Sequence, residues 1–114
     1  MSDCLFCKIV EKKIPAKIIY EDDAVIAFED INPKAPVHAL VIPKKHISTI
    51  LDLELEDRDL VGRLVEVANR IARDKGVAEK GFRVVSNCNP DSGQTVYHIH
   101  FHVLGGRQMH WPPG

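Results

Sequence analysis

Asp57-Arg58-Asp59-Leu60-Val61-Gly62-Arg63-Leu64-Val65-Glu66-Val67-Ala68-Asn69-Arg70-Ile71-Ala72-Arg73-Asp74-Lys75-Gly76 is the stretch whose periodicity decides the fold class. Leu60, Leu64, Val67 and Ile71 recur at helical spacing, and Val61, Val65, Ala68 and Ala72 widen the apolar stripe. The spacing predicts one long helix from about Asp57 to Lys75, with Gly76 suited to the left-handed cap that ends it. A helix with one broad apolar face needs an apolar layer to bury against. The flanking sequence offers that layer as short strands rather than as further helices.

Upstream, Ile18-Ile19-Tyr20 and Val25-Ile26-Ala27-Phe28 read as a hairpin about the polar turn Glu21-Asp22-Asp23. Asn32-Pro33-Lys34-Ala35-Pro36 is a loop, and His38-Ala39-Leu40-Val41-Ile42 is a third strand that Pro43 closes. Downstream, Phe82 to Val85 is a fourth strand, Asn87 to Gly93 a turn-rich loop, and Tyr97 to Leu104 a fifth strand. Leu5 to Lys12 suits a brief helix stopped by Pro15. The expected architecture is α+β: a five-stranded, mainly antiparallel sheet with one long helix and a short N-terminal helix, forming a single domain over residues 1–114.

Composition narrows the function. The chain has 114 residues, 45% hydrophobic and 27% charged, as in an ordinary globular domain with a modest core. A net charge of −1 gives no general attraction to a polyanion, so neither nucleic acid nor an acidic membrane is the expected partner. The opening Met-Ser-Asp-Cys-Leu-Phe-Cys lacks the pattern of a secretion signal, and the expected location is the cytoplasm. Of three cysteines, Cys4 and Cys7 have the Cys-x-x-Cys spacing of metal or redox chemistry, and Cys88 stands alone.

The strongest chemical signal is Tyr97-His98-Ile99-His100-Phe101-His102-Val103-Leu104. Along an extended strand alternate side chains share a face, so three imidazoles fall on one side and Ile99, Phe101 and Val103 on the other. Clustered imidazoles disfavour one another's protonation and stay neutral, which suits a nucleophile or a ligand. Two chemistries fit: a His-x-His zinc pair whose bound water attacks, or an imidazole that is itself the nucleophile. Gly93-Gln94-Thr95, just before the strand, offers a backbone free of Cβ, an amide and a hydroxyl, groups able to bind phosphoryl oxygens without net positive charge.

His98-Ile99-His100-Phe101-His102-Val103-Leu104 resembles the histidine triad motif, and the closing Gly105-Gly106-Arg107-Gln108-Met109-His110-Trp111-Pro112-Pro113-Gly114 is similar to the end of that family's Hint branch. Ile14-Pro15-Ala16-Lys17-Ile18-Ile19, Glu21-Asp22-Asp23, Ala35-Pro36-Val37-His38 and Val41-Ile42-Pro43-Lys44-Lys45-His46-Ile47 resemble the branch in the same order. The resemblance implies a homodimer whose sheets join. It also implies a phosphoramidase that hydrolyses adenosine 5′-monophosphoramidate and related purine nucleoside phosphoramidates to AMP and an amine, with no cofactor in catalysis.

By the same resemblance His100 is the nucleophile, His102 contacts the phosphate, and His98 orients His100. Gly93, Gln94, Thr95 and Asn87 bind phosphate, with Thr95, more often serine in the family, assisting the departing amine. Asp30 takes the ribose hydroxyls, Ile31 lies beside the base, and Phe6, Ile9 and Ile18 line the purine pocket. His38 is expected near the active centre as a relay or supporting group. Cys4 and Cys7 with His46 and His98 resemble a structural zinc site of some bacterial members; otherwise the thiols are simply free in a reducing compartment. The tail bearing Trp111 is expected at the dimer interface. Other functions consistent with the sequence are a nucleotide-binding or zinc-dependent interaction protein with vestigial hydrolysis, and a dinucleoside polyphosphate hydrolase, although Trp-Pro-Pro-Gly argues against the latter.

Overall fold

A computed structural model describes residues 3–114. The five strands, β1 (Ile18–Glu21), β2 (Val25–Glu29), β3 (Val37–Pro43), β4 (Phe82–Val85) and β5 (Phe101–Gly105), form one sheet in the order β1-β2-β3-β5-β4 with every neighbouring pair antiparallel. Helix α2 (Arg58–Asp74) lies between β3 and β4 in the chain, and helix α1 (Leu5–Val10) precedes the sheet. The α+β class, the strand count and both helices agree with the sequence expectation. Among the described residues no helix is long and apolar enough to cross a membrane.

The sheet is buried on both faces at its centre. Val25, Ala27, Ala39, Val41, Ile99 and Val103 pack with Leu64, Val67, Ala68 and Ile71 of α2. On the opposite face Ile26, Phe28, Leu40 and Ile42 pack with Phe6 and Ile9 of α1. Residues Val25 to Phe28 and His38 to Pro43 are accordingly all buried, because a strand covered on both sides carries no polar alternation.

The ends of α2 follow the expected chemistry with one shift. Gly76 takes φ 77°, Gly76 N–H donates to the Arg73 carbonyl, and Val77 N–H donates to the Ala72 carbonyl, so the left-handed glycine closes the helix. Asp57 precedes the first helical residue, and its buried carboxylate accepts from Glu54 N–H (2.9 Å) and Lys45 Nζ (2.7 Å).

Two boundaries differ from expectation by two residues or more. Helix α1 ends at Val10, not Lys12, and not because of Pro15: Lys12 adopts φ 63°, and Lys13 N–H donates to the Lys8 carbonyl at 2.8 Å, so the chain has already turned out of the helix. The fifth strand begins at Phe101, so His98 and His100 precede it. The β3–β5 ladder ends at the Val41–Phe101 pair, residues 96–98 bend, and Ile99 N–H donates to the Ile47 carbonyl (2.7 Å) outside the ladder. Alternation nevertheless persists through the bend: Ile99 and Val103 face α2, while His98 and His100 meet Phe6 of α1 on the other side.

Candidate functional site

Register builds one side of the site. Phe28 pairs with Leu40 and Leu40 with His102, so these three side chains cross β2, β3 and β5 in a row on the face opposite α2. Phe6 packs edge-on to Phe28 (ring centroids 5.5 Å) and to His100 (5.0 Å), and His100 lies 5.1 Å from His102. Around them opens a cavity of about 350 Å³, its apolar wall supplied by Leu5, Phe6, Ile9, Phe28 and Leu40 and its polar edge by Asp30, Thr95, His100 and His102. That is enough room for a small organic ligand.

The protons in this site are fixed by backbone partners. A carbonyl can only accept, so His100 Nδ1, 2.8 Å from the His98 carbonyl, carries its hydrogen and leaves Nε2 with a lone pair. Burial holds the His100 imidazole below its ordinary pKa, outweighing the opposing effects of the His98 carbonyl and Asp30, so it is neutral near pH 7. Lys34 N–H donates to His38 Nδ1 (3.0 Å), which places the His38 hydrogen on Nε2. That hydrogen is aimed at His102 Nδ1 (2.9 Å), so His102 bears its own on Nε2. Burial, then His100 and His38, lower His102 to about 4. The triad therefore holds a bare nitrogen on His100 beside a donor on His102.

Asp30 borders the cavity. Its Oδ1 accepts from Asn32 N–H (2.8 Å), and its Oδ2 lies 3.4 Å from His38 Nε2. Ile31 is 90% exposed at the cavity mouth. Thr95 is exposed and borders both this cavity and a second one of about 500 Å³, which Asp3, Ser48 and Tyr97 also line.

Not every expected residue reaches the cavity. Ile18 is on β1 and absent from its lining, where Ile14, Pro15 and Ala16 stand instead. Gln94 is buried and its amide is fully used: Oε1 accepts from Asn89 N–H (2.7 Å), and Nε2 donates to the Ser48 (2.9 Å) and Val96 (3.1 Å) carbonyls. Its side chain holds the loop that presents Thr95 and is not free for a phosphate. Asn87 Nδ2 donates to the Ser92 carbonyl, tying the same loop, and neither Asn87 nor Gly93 lines the cavity. No motif marks Leu5, Leu40 or the Ile14-Pro15-Ala16 segment as cavity residues; Leu40 reaches the cavity because it pairs with Phe28 on one side and His102 on the other.

A second cluster adjoins the first. Cys4, Cys7, His46 and His98 bring one donor atom each to within 4.8 Å of one another. His98 Nε2 donates to the Pro43 carbonyl (2.7 Å), leaving Nδ1 bare and turned toward the cysteines. Burial lowers His98 to about 4, so the ring is neutral. The distances test a tetrahedral ion directly. Bonds of about 2.3 Å to sulfur and 2.0–2.1 Å to nitrogen imply S···N edges of about 3.5 Å and N···N edges of about 3.3 Å. The measured edges are 3.4 Å (Cys4 Sγ to His98 Nδ1), 3.3 Å (Cys7 Sγ to His46 Nδ1), 3.6 Å (Cys7 Sγ to His98 Nδ1) and 3.2 Å (His46 Nδ1 to His98 Nδ1). Two thiols and two imidazoles at this spacing fit Zn²⁺. Burial and the neighbouring Cys4 push the Cys7 thiol up to about 11, so a cation is what would favour its thiolate.

Asp30, His38 and His102 also converge, but they do not suit a metal. His38 Nε2 carries a hydrogen for as long as Lys34 N–H occupies Nδ1.

The sheet is buried on both sides and carries a cavity edged by neutral histidines, with a Cys₂His₂ cluster behind it. Comparison with known proteins makes this specific: residues 11–109 match the HIT domain model, and the chain belongs to the HIT-domain family. A 14 kDa zinc-binding protein of Brassica juncea is 49% identical, covering 98% of this chain and 100% of its own. Adenylylsulfatase HINT1 of Arabidopsis thaliana is also 49% identical, over 99% of this chain and 78% of its own. The crystal structure of a HIT family hydrolase from Legionella pneumophila Philadelphia 1 superposes with a TM-score of 0.96 at 52% identity, covering 97% of this chain and 99% of that one.

Proposed function

We propose that the protein is a nucleotide hydrolase acting on purine nucleoside phosphoramidates, releasing AMP and an amine from adenosine 5′-monophosphoramidate and its relatives. The observation that carries this reading is the protonation pattern at the cavity edge: a neutral His100 with Nε2 bare, next to a His102 that presents Nε2–H. The first is a nucleophile for phosphorus, and the second donates to a phosphoryl oxygen. The names of the Arabidopsis and Legionella relatives, an adenylylsulfatase and a hydrolase, support hydrolysis at a nucleotide phosphate.

In this mechanism the purine lies against Phe6, Ile9 and Ile31, and Asp30 accepts from the ribose hydroxyls. His100 Nε2 attacks the α-phosphorus and forms a P–N bond as the bond to the amine breaks. The departing nitrogen takes a proton from the Thr95 hydroxyl, which regains one from solvent, and leaves as the amine toward the second cavity that Thr95 borders. Water then attacks the same phosphorus, leaving its hydroxyl there and one proton in solvent as the bond to Nε2 breaks, and AMP departs with His100 restored. His38 keeps His102 in its donor form throughout. Phosphate binding at the Gly93–Thr95 loop rests on main-chain groups and the Thr95 hydroxyl, since the Gln94 amide is committed elsewhere.

A zinc ion held by Cys4, Cys7, His46 and His98 would be structural, supplying a cross-link between α1 and the histidine segment. The Brassica relative's name supports the metal. We further propose a cytoplasmic homodimer of single-domain chains that extends the sheet through the open edge of β4, with the exposed Trp111 tail at the interface.

The test is incubation with adenosine 5′-phosphoramidate and, separately, adenosine 5′-phosphosulfate. Wild type should release AMP from the phosphoramidate with or without a chelator, and His100→Ala should not. Release from the phosphosulfate alone would transfer the activity to the bond named for the Arabidopsis relative. No AMP from either substrate would leave a binding protein.

A further inference from the structure

Phe6 stands between Cys4 and Cys7 in sequence, yet its ring belongs to the cavity: it meets His100 edge-on at 87° and lines the wall beside Leu5 and Ile9. The helix that carries it is only six residues long, too short to persist by its own hydrogen bonds. What fixes it is the Cys₂His₂ cluster together with apolar packing. Cys4 Sγ caps the helix by accepting from Cys7 N–H (3.3 Å), and both thiols reach His98 Nδ1. His98 in turn serves both sites. Its ring closes the cluster, its Nε2 is anchored to the Pro43 carbonyl, and its own carbonyl holds His100 Nδ1 at 2.8 Å.

We propose that this cluster is a positioning clamp for the nucleotide cavity: zinc there fixes Phe6 and the His98 carbonyl against His100, so that zinc and nucleotide raise each other's affinity. This rests on the nucleotide-binding reading above. Two routes, one through the ring of Phe6 and one through the main chain of His98, converge on the same imidazole. An ion at the cluster therefore biases the cavity wall and the ring orientation together. Coupling of this kind is reciprocal, with one factor for both ligands, commonly five- to about a hundredfold.

The experiment measures affinities, not turnover. AMP binding is titrated calorimetrically into zinc-loaded and metal-free protein, with circular dichroism to establish that the metal-free chain is folded. Zinc affinity is measured by competition with a chromophoric chelator, with and without saturating AMP. Zinc should tighten AMP at least about fivefold, and AMP should tighten zinc by the same factor. Phe6→Leu, zinc-loaded, should bind zinc within twofold of wild type in the absence of AMP, while the gain that AMP confers falls below half that of wild type. AMP that binds with equal affinity in both states, or a Phe6→Leu variant that retains the full gain, overturns the clamp while leaving the nucleotide reading intact. AMP that binds neither form overturns both.

Discussion

Removing the metal is the perturbation whose size follows most directly from the geometry. Four of the six donor–donor edges already stand at 3.2–3.6 Å and all four donors lie within 4.8 Å of one another, so zinc would bind the folded chain with little rearrangement, whereas the unfolded chain offers only the local Cys4–Cys7 pair. A ligand specific to the folded state stabilises it by about 4 kcal/mol when its free concentration is a thousand times Kd. An unfolding entropy of about 2.1 cal/mol/K per residue gives roughly 0.24 kcal/mol/K for 114 residues. Zinc should then raise Tm by about 17 °C, reduced to about 10 °C if the unfolded Cys-x-x-Cys keeps part of its affinity. The assay is scanning calorimetry of zinc-loaded and EDTA-treated protein, beside a Cys4→Ser, Cys7→Ser double variant. Bound zinc should number one per chain and shield Cys4 and Cys7, but not Cys88, from alkylation. A wild-type Tm that moves by less than about 2 °C, or a double variant that shows the full shift, would mean that the four donors do not form the stabilising site.

Three further outcomes are expected. A Cβ on Gly105 would lie 2.8 Å from Val77 Cγ2 and 2.9 Å from Val77 Cβ, so Gly105→Ala should cost about 1–3 kcal/mol in urea unfolding, and Val77→Ala should relieve only part of it in the double variant, because the Cβ contact remains. Gln94→Leu strands the Asn89 N–H and the Ser48 and Val96 carbonyls; stability should fall by about 1–3 kcal/mol, and AMP release should slow as the Thr95 loop loosens. His102 is lowered to about 4 chiefly by burial, so below pH 6.5 the unfolded chain binds the proton that the folded chain excludes. Stability from this group is complete above pH 6.5 and is lost as pH falls toward 4, about 2 kcal/mol by pH 5, and His102→Gln should flatten that part of a urea-midpoint profile.

The elements set by side-chain periodicity were legible. The Leu60–Ile71 stripe marks α2, and the apolar runs of β2 and β3 mark strands, while the burial of both their faces is set by the packing of α1 and α2. What escaped was decided by tertiary partners. Tyr97 to Leu104 alternates like a strand, yet the ladder covers only Phe101 onward, because residues 96–98 bend and Ile99 bonds to the Ile47 carbonyl. Gln94 has the chemistry to bind a phosphate, and nothing local reveals that Asn89, Ser48 and Val96 consume it. Ile18 and Ile14 are equally apolar; only the path of the chain between α1 and β1 brings the second to the cavity and leaves the first outside. The Cys4–Cys7–His46–His98 grouping came from resemblance, and the edge lengths and the bare His98 Nδ1 are the physical reasons that it fits a tetrahedral ion.

The three triad histidines illustrate why residue type alone underdetermines chemistry. Alternation puts them on one side of the chain and makes them look equivalent. The nitrogen that each presents is chosen by a main-chain group elsewhere: the Pro43 carbonyl bares Nδ1 of His98, the His98 carbonyl bares Nε2 of His100, and the Lys34 N–H, acting through His38, bares Nδ1 of His102 and leaves Nε2 a donor. In the proposed mechanism the bare nitrogen near two thiols serves as a ligand, the bare nitrogen at the cavity edge as the nucleophile, and the hydrogen beside it as the donor to a phosphoryl oxygen. The same rule separates the two metal-like clusters, because a ring nitrogen that must keep its hydrogen cannot coordinate. In this chain three backbone groups, none of them visible as a motif, divide one repeated residue among three roles.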